Sequence, residues 1–261
     1  MKALIVGDTI LDEFLPCDSI GLAQEGPFCT INGSAGVYIR GGANLVFRNL
    51  KALSGSQDAV LLETNHSASA TKTRYCHNGS ILLRVNHNTK FARKELQQQL
   101  EQKLLRNIHD YDVVILSDYG LGTVSKRVLQ ISLGARHVIL DPHPTRIPYD
   151  VRVSTYMPNR LEWKLDTEPE ADLILVTQDR DGVWSPTLQK KWKAKIQAHQ
   201  TVIGAGGAFC AAYAYASVLL GGSHNEWVQF ALDYVALAMQ SAYVCVPESN
   251  SLKEFRREHK I

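Results

Sequence analysis

The feature that most constrains this chain is a series of short, almost unbroken apolar runs separated by amphipathic helical patterns. Ala3–Val6, Val113–Leu116, His137–Leu140 and Leu173–Val176 are each followed directly by Gly, Ser, Asp or Thr. A strand with one wet face alternates apolar and polar residues. A run that is apolar nearly throughout suits a strand covered on both faces, as in a parallel sheet. Between the runs, Lys94–Ile108 places Leu96, Leu100, Leu104, Leu105 and Ile108 on one helical face. Asn225–Val244 is similarly periodic, through Trp227, Phe230, Ala231, Tyr234, Val235, Ala238 and Ala242. Strand–helix alternation calls for right-handed crossovers and gathers ligands at the C-terminal strand tips. Chemistry is therefore expected at Gly7-Asp8, Ser117-Asp118-Tyr119, Asp141-Pro142-His143 and Thr177-Gln178-Asp179. Residues 13–40 and 74–88 instead alternate apolar and polar around Gly-rich turns, as a small antiparallel flap would. With no long linker, low-complexity block or repeat, residues 1–261 read as one α/β domain.

Several function classes are disfavoured by composition. The formal net charge is +2, too small for an electrostatic nucleic-acid binder. The basic tail residues Lys253, Arg256, Arg257 and Lys260 alternate with Glu254 and Glu258, as on the solvated face of a terminal helix. Five cysteines at scattered spacings form no C-x-x-C pair, which argues against a disulfide framework or zinc site and for a reducing compartment. The apolar stretch Ala208–Leu220 is shorter than the ~20 residues that span a bilayer. A cytoplasmic location, with no membrane or nucleic-acid partner, is the expectation.

The sharpest local motif is Ile203-Gly204-Ala205-Gly206-Gly207-Ala208-Phe209, which runs into an Ala-rich helix. Small residues before a helix let backbone N–H groups face an anion, and the helix dipole favours negative charge there. Read alone, the loop is either an anion hole or a turn chosen for close helix packing. It belongs, however, to an ordered set: Gly7-Asp8-Thr9-Ile10-Leu11-Asp12, Gly41-Gly42-Ala43-Asn44, Thr71-Lys72-Thr73-Arg74, Ser117-Asp118-Tyr119, Asp141-Pro142, Pro158-Asn159-Arg160-Leu161-Glu162 and Gly204-Ala205-Gly206. Together these resemble the PfkB family of ribokinase-like sugar kinases over nearly the whole chain. The likeness is greatest to the heptose 7-phosphate kinase branch, with its G-D-x-x-L-D opening and S-D-Y turn.

The resemblance implies a three-layer α/β/α sandwich with a mostly parallel central sheet and a small β lid, contributed by residues 13–40 and 74–88. It implies ATP-dependent phosphorylation of a sugar or sugar phosphate, with Mg2+ as cofactor, and a lid able to pair subunits into a homodimer. Asp8 and Asp12 would accept hydrogen bonds from sugar hydroxyls, with Gly42 and Asn44 on the same substrate. Lys72 and Arg74 would hold the substrate's own phosphate, or form a solvated basic pair. Asn159, Glu162, Thr177 and Gly204 would bind the nucleotide, with Glu162 organising Mg2+ through water; a solvated helix start is the alternative reading of the 159–162 segment. Ala205 and Gly206 would complete the anion hole.

The chain departs from the family at that hole. Family members read D-x-x-G-A-G-D, the last Asp taking the proton from the attacking hydroxyl. Here Gly207 stands in its place, Thr201 replaces the first Asp, and Ile203 replaces the usual Thr. Leu121 and His143 stand where lysines are usual. Loss of a general base typically lowers a rate by ~10²–10⁴. Impaired catalysis is expected, with a pseudokinase that binds sugar or nucleotide as the alternative. His143, Asp118 and Asp179 are the candidates for a substitute base.

Overall fold

The computed structural model describes residues 1–55, 59–63, 70–88, 94–143, 151–165, 170–195 and 200–261. Strand β1 (Ala3–Gly7) is buried at every residue because it lies between two helical layers. Its side chains alternate with the strand period of two, Ala3 and Ile5 entering one apolar cluster and Leu4 and Val6 the other. β5 (Ala59–Leu62), β8 (Val113–Ser117), β9 (Val138–Asp141), β10 (Val153–Tyr156) and β11 (Ala171–Ile174) complete a parallel sheet in the order β11–β10–β9–β8–β1–β5. On the Ala3/Ile5 side pack α1 (Ala43–Ser54), α5 (Ala205–Leu219), α6 (His224–Ala238) and α7 (Ser249–His259). The Leu4/Val6 side is covered by α2 (Lys94–Asn107) and α3 (Lys126–Ser132). This is the expected three-layer α/β/α sandwich. Residues Gly207–Ala216 of α5 are all buried, which is why that helix is apolar all round and rich in alanine.

A second sheet stands over the strand tips. β2 (Thr9–Leu22) leaves β1 after one residue and pairs antiparallel with β3 (Cys29–Gly33) and β4 (Val37–Gly42). It pairs parallel with β6 (Ala70–His77), which is antiparallel to β7 (Ser80–Asn88). The sheet is thus mixed, not the purely antiparallel flap expected, because β6 enters it beside β2 in the same direction. A third, small antiparallel sheet contains β12 (Val176–Thr177), β13 (Val183–Ser185) and β14 (Lys190–Trp192), and the short α4 (Arg160–Leu165) precedes it.

Other local expectations also shift. The helical pattern over Asn225–Val244 stops as helix at Ala238. There the Met239 carbonyl accepts the N–H groups of Gln200 (2.9 Å) and Thr201 (3.2 Å), tying the end of α6 to the 200–204 segment. Val244 and Cys245 remain buried, so the apolar pattern outlasts the helix. The run Leu173–Val176 divides between β11 and β12, Leu175 donating its N–H to the Tyr156 carbonyl at the divide. Among the described residues, no helix is long and apolar enough to cross a membrane.

Candidate functional site

From β1 the main sheet grows in two directions, to β5 on one side and β8 on the other. Ligand crevices form where strand order reverses in this way. Asp8 stands at the reversal, wholly buried. Its Oδ2 accepts the N–H groups of Tyr119 and Leu121 (3.1 Å each), and its Oδ1 accepts that of Thr123 (3.0 Å). Asp8 was expected on sugar hydroxyls; instead it closes the loop after β8, because three amides of that loop converge on its carboxylate. Asn44 is buried in the first turn of α1 and likewise does not border the crevice. The other expected substrate, nucleotide and anion-hole residues all border one cavity of about 370 Å³. Of the candidate substitute bases, Asp118 and His143 border it as well, and Asp179 does not.

The lid end of that cavity is basic. Arg74 Nη1 lies 2.6 Å from Asp12 Oδ1, with both side chains about 95% buried (6% and 5% exposed). The guanidinium also sits 5.1 Å from the Phe14 ring centroid. A Cβ on Gly41 would fall 1.8 Å from Asp12 Oδ2, so only glycine lets Asp12 fold over that strand. Lys72 lies on the same face as Arg74, its ammonium 5.2 Å from the Tyr119 ring. Burial pushes the Lys72 amine below its usual range; Asp12 opposes this, while Arg74 and Arg84 add to it. Sequence reasoning overlooked Arg84, which borders the cavity directly across β6–β7 from Arg74.

The opposite end is acidic and borders the N-terminus of α5. Gly204 adopts φ +86°, and a Cβ there would meet Leu45 Cδ1 at 2.7 Å. Its left-handed backbone starts the helix. The Ala205 N–H donates to the Val202 carbonyl at 3.2 Å, and Ala205, Gly206 and Gly207 all border the cavity. Thr201 Oγ1 donates to the Tyr243 carbonyl (2.9 Å) and accepts the Ile203 N–H (3.1 Å), so this side chain holds the turn itself. A Cβ on Gly207 would lie 3.2 Å from Val46 Cγ2.

Asn159 and Glu162 form a reciprocal cap. Asn159 Oδ1 accepts from the N–H groups of Leu161 and Glu162, and Glu162 Oε2 accepts the Asn159 N–H at 2.7 Å. Burial nevertheless raises the Glu162 carboxyl to about 7, against the lowering effect of those bonds. Asp141, at the tip of β9, is raised to about 8 by burial and then by the charges of Glu162 and Asp118, with the Ser117 hydroxyl at 3.3 Å opposing. Thr177 Oγ1 donates to the Pro158 carbonyl at 3.4 Å. Tyr119 also borders the cavity; burial first, then the charges of Asp141 and Asp12, push its hydroxyl well above the usual range.

Comparisons with known proteins bear on the fold. No protein-family model matches the chain. It is 26% identical to the bifunctional protein HldE of a Nitratiruptor species over 88% of this chain. The match takes in 59% of that relative, so the chain spans little more than half its length. Phosphofructokinase-2 from Escherichia coli, solved in complex with substrates and products, superposes with a TM-score of 0.75 at 13% identity, covering 100% of this chain and 99% of that one. The chain has the ribokinase-like fold. Ribokinase from Thermotoga maritima matches this chain with a TM-score of 0.68 at 13% identity, covering 98% and 99% of the two chains. At these identities the solved structures establish the fold, and the residues bordering the cavity must carry the chemistry.

Proposed function

We propose that the chain acts as one ribokinase-like domain that binds a sugar or sugar phosphate under its five-stranded lid and a nucleotide beside the 204–207 turn. Phosphoryl transfer between them is slowed by the absence of a base at Gly207. The observation that carries this reading is a single cavity with a basic lid end, an acidic end and a glycine-lined helix N-terminus. Asp12 and Gly42 grip sugar hydroxyls. The Gly206 and Gly207 amides and the α5 dipole stabilise charge on a transferring phosphoryl group. Thr177 and Gly204 border the nucleotide.

Asp141 and Glu162 fit a hard divalent cation: two oxygen-bearing side chains are desolvated near each other and their charges are mutually unfavourable. Mg2+ bound there with ATP would neutralise phosphate charge, and Glu162 would orient its waters. The lid exposes Leu22, Phe28, Ile81, Leu82 and Leu83, an apolar rim that supports pairing with a second copy into a homodimer.

Titration calorimetry with ATP and Mg2+, followed by coupled ADP release over aldoses and their phosphates including heptose 7-phosphate, tests the reading. Nucleotide and sugar binding with slow turnover is the expected result. The pseudokinase alternative is favoured by one observation, that neither Gly207 nor Thr201 supplies an acid at the turn; it gives binding with no turnover. Folded protein that binds neither ligand removes both readings.

A further inference from the structure

Resting on that reading of the cavity, we infer that Asn49 and Tyr234 are positioning residues for the 204–207 turn. Neither borders the cavity; they act on the turn through the main chain of Cys245. The Cys245 N–H donates to the Ile203 carbonyl at 2.8 Å, one residue before the left-handed Gly204. The Cys245 carbonyl accepts from Asn49 Nδ2 at 2.9 Å, and the same nitrogen donates to the Leu45 carbonyl at 2.8 Å. Asn49 Oδ1 accepts from the Tyr234 hydroxyl at 2.9 Å. A hydrogen-bonded chain thus runs from α6 through α1 and Cys245 to the start of α5.

Asn49, Tyr234 and Cys245 are wholly buried, so every polar atom among them needs a partner. A flipped Asn49 amide would face its oxygen to two carbonyls, neither of which can donate. An apolar side chain of similar size would fill the same space without burying groups that must be paired. What the amide adds is direction. A fully satisfied buried network holds its members in one arrangement, and here it ties Ile203 to a fixed point on α1.

The same helix carries further contacts with the turn. Leu45, one helical turn before Asn49, places its Cδ1 2.7 Å from where a Cβ on Gly204 would fall, and Val46 Cγ2 lies 3.2 Å from the corresponding point at Gly207. Groups that stabilise a reacting phosphate must be held within about 0.5 Å of their productive places. α1 is the surface on which the turn rests, and the Asn49–Tyr234 pair sets its register there.

The test compares the full chain with Asn49→Leu, Tyr234→Phe and Val128→Ala by calorimetric titration with ATP and Mg2+, and with AMP, which lacks the phosphates that would reach the turn. Val128 is buried in the apolar cluster on the opposite side of the sheet, so its variant reports lost stability alone. Asn49→Leu is expected to weaken ATP about three- to ten-fold with AMP affinity unchanged, and Tyr234→Phe to do the same to a smaller degree. If Asn49→Leu does not fold, Tyr234→Phe decides, since it removes one hydroxyl and keeps the ring. Variants that bind ATP as the parent does overturn the inference and leave the reading of the cavity standing. ATP and AMP weakened alike, or Val128→Ala weakening ATP as much as Asn49→Leu at an equal loss of melting temperature, makes Asn49 a core contact only and also overturns it. Failure of the parent to bind ATP removes the reading of the cavity, and the inference falls with it.

Discussion

Gly207→Asp restores a carboxylate where the resemblance places the base, and the structure says how well it fits. A Cβ at 207 meets Val46 Cγ2 at 3.2 Å and Val46 N at 3.8 Å, so a single methyl must shift by a few tenths of an ångström. Overpacking of that size costs about 1 kcal/mol, at the low end for enlarged core residues. Two effects offset it. Replacing a helical glycine lowers the entropy lost on folding, worth about 0.5–1 kcal/mol, and a negative charge in the first turn of α5 gains about 0.3–1 kcal/mol from the helix dipole. The variant should therefore fold with a melting temperature within a few degrees of the parent. Its turnover in a coupled ADP-release assay should rise by about 10²–10⁴, the usual worth of a positioned general base. Gly207→Ala carries the same Cβ without the acid and should show no gain. The reasoning is refuted if Gly207→Asp is folded, binds ATP and sugar as the parent does, and still turns over no faster than Gly207→Ala.

Three further outcomes are expected. Asp12→Ala leaves the Arg74 guanidinium buried and unpaired, which should cost about 3–5 kcal/mol in urea unfolding; an Asp12→Ala, Arg74→Met double variant should recover much of it, and a single-variant cost below about 1 kcal/mol would contradict the buried pair. Asp141 retains its proton in the folded chain up to about pH 8, whereas the unfolded chain releases it near the ordinary carboxylate value. Its contribution therefore makes stability fall as pH rises from about 4 to 8, by at most about 1.4 kcal/mol per pH unit. Asp141→Asn should flatten that decline, melting higher than the parent at pH 9 but not at pH 5; parallel melting curves across the range would count against it. Asp8→Ala strips acceptors from three amides, each unpaired buried group costing about 1–3 kcal/mol, and hydrogen exchange at Tyr119, Leu121 and Thr123 should accelerate far more than in the rest of the sheet.

Much of the architecture was readable from local patterns. Runs such as Ala3–Val6 and Val113–Leu116 are apolar on both faces, and a sheet between two helical layers satisfies such strands. Of their polar ends, Asp118, Tyr119, Asp141, His143 and Thr177 border one cavity, because a parallel sheet puts every strand's C-terminus on one edge. β10 escaped notice, since Val153–Tyr156 mixes in Ser154 and Thr155, whose hydroxyls find partners at Val138 N–H and His137. α1 was hidden behind the glycines of its own N-terminus.

The site shows the division most clearly. Residue types alone determined that the 204–207 turn lacks a carboxylate, because that depends only on which side chains are there. Tertiary structure decided what each acid and base is engaged with. Asp8 was expected on sugar hydroxyls, yet its carboxylate accepts amides more than a hundred positions along the chain, a contact that exists only once β1 and β8 pair. Arg84 is the converse. Counting back from the Asn78-Gly79 turn, the His77–Ser80 register places Leu83 opposite Arg74, and it is the irregularity between Tyr75 and Cys76 that brings Arg84 there instead. A one-residue shift in pairing exchanges the faces of a strand, so the charge at the lid end of the cavity was set by a bulge that no local pattern announces.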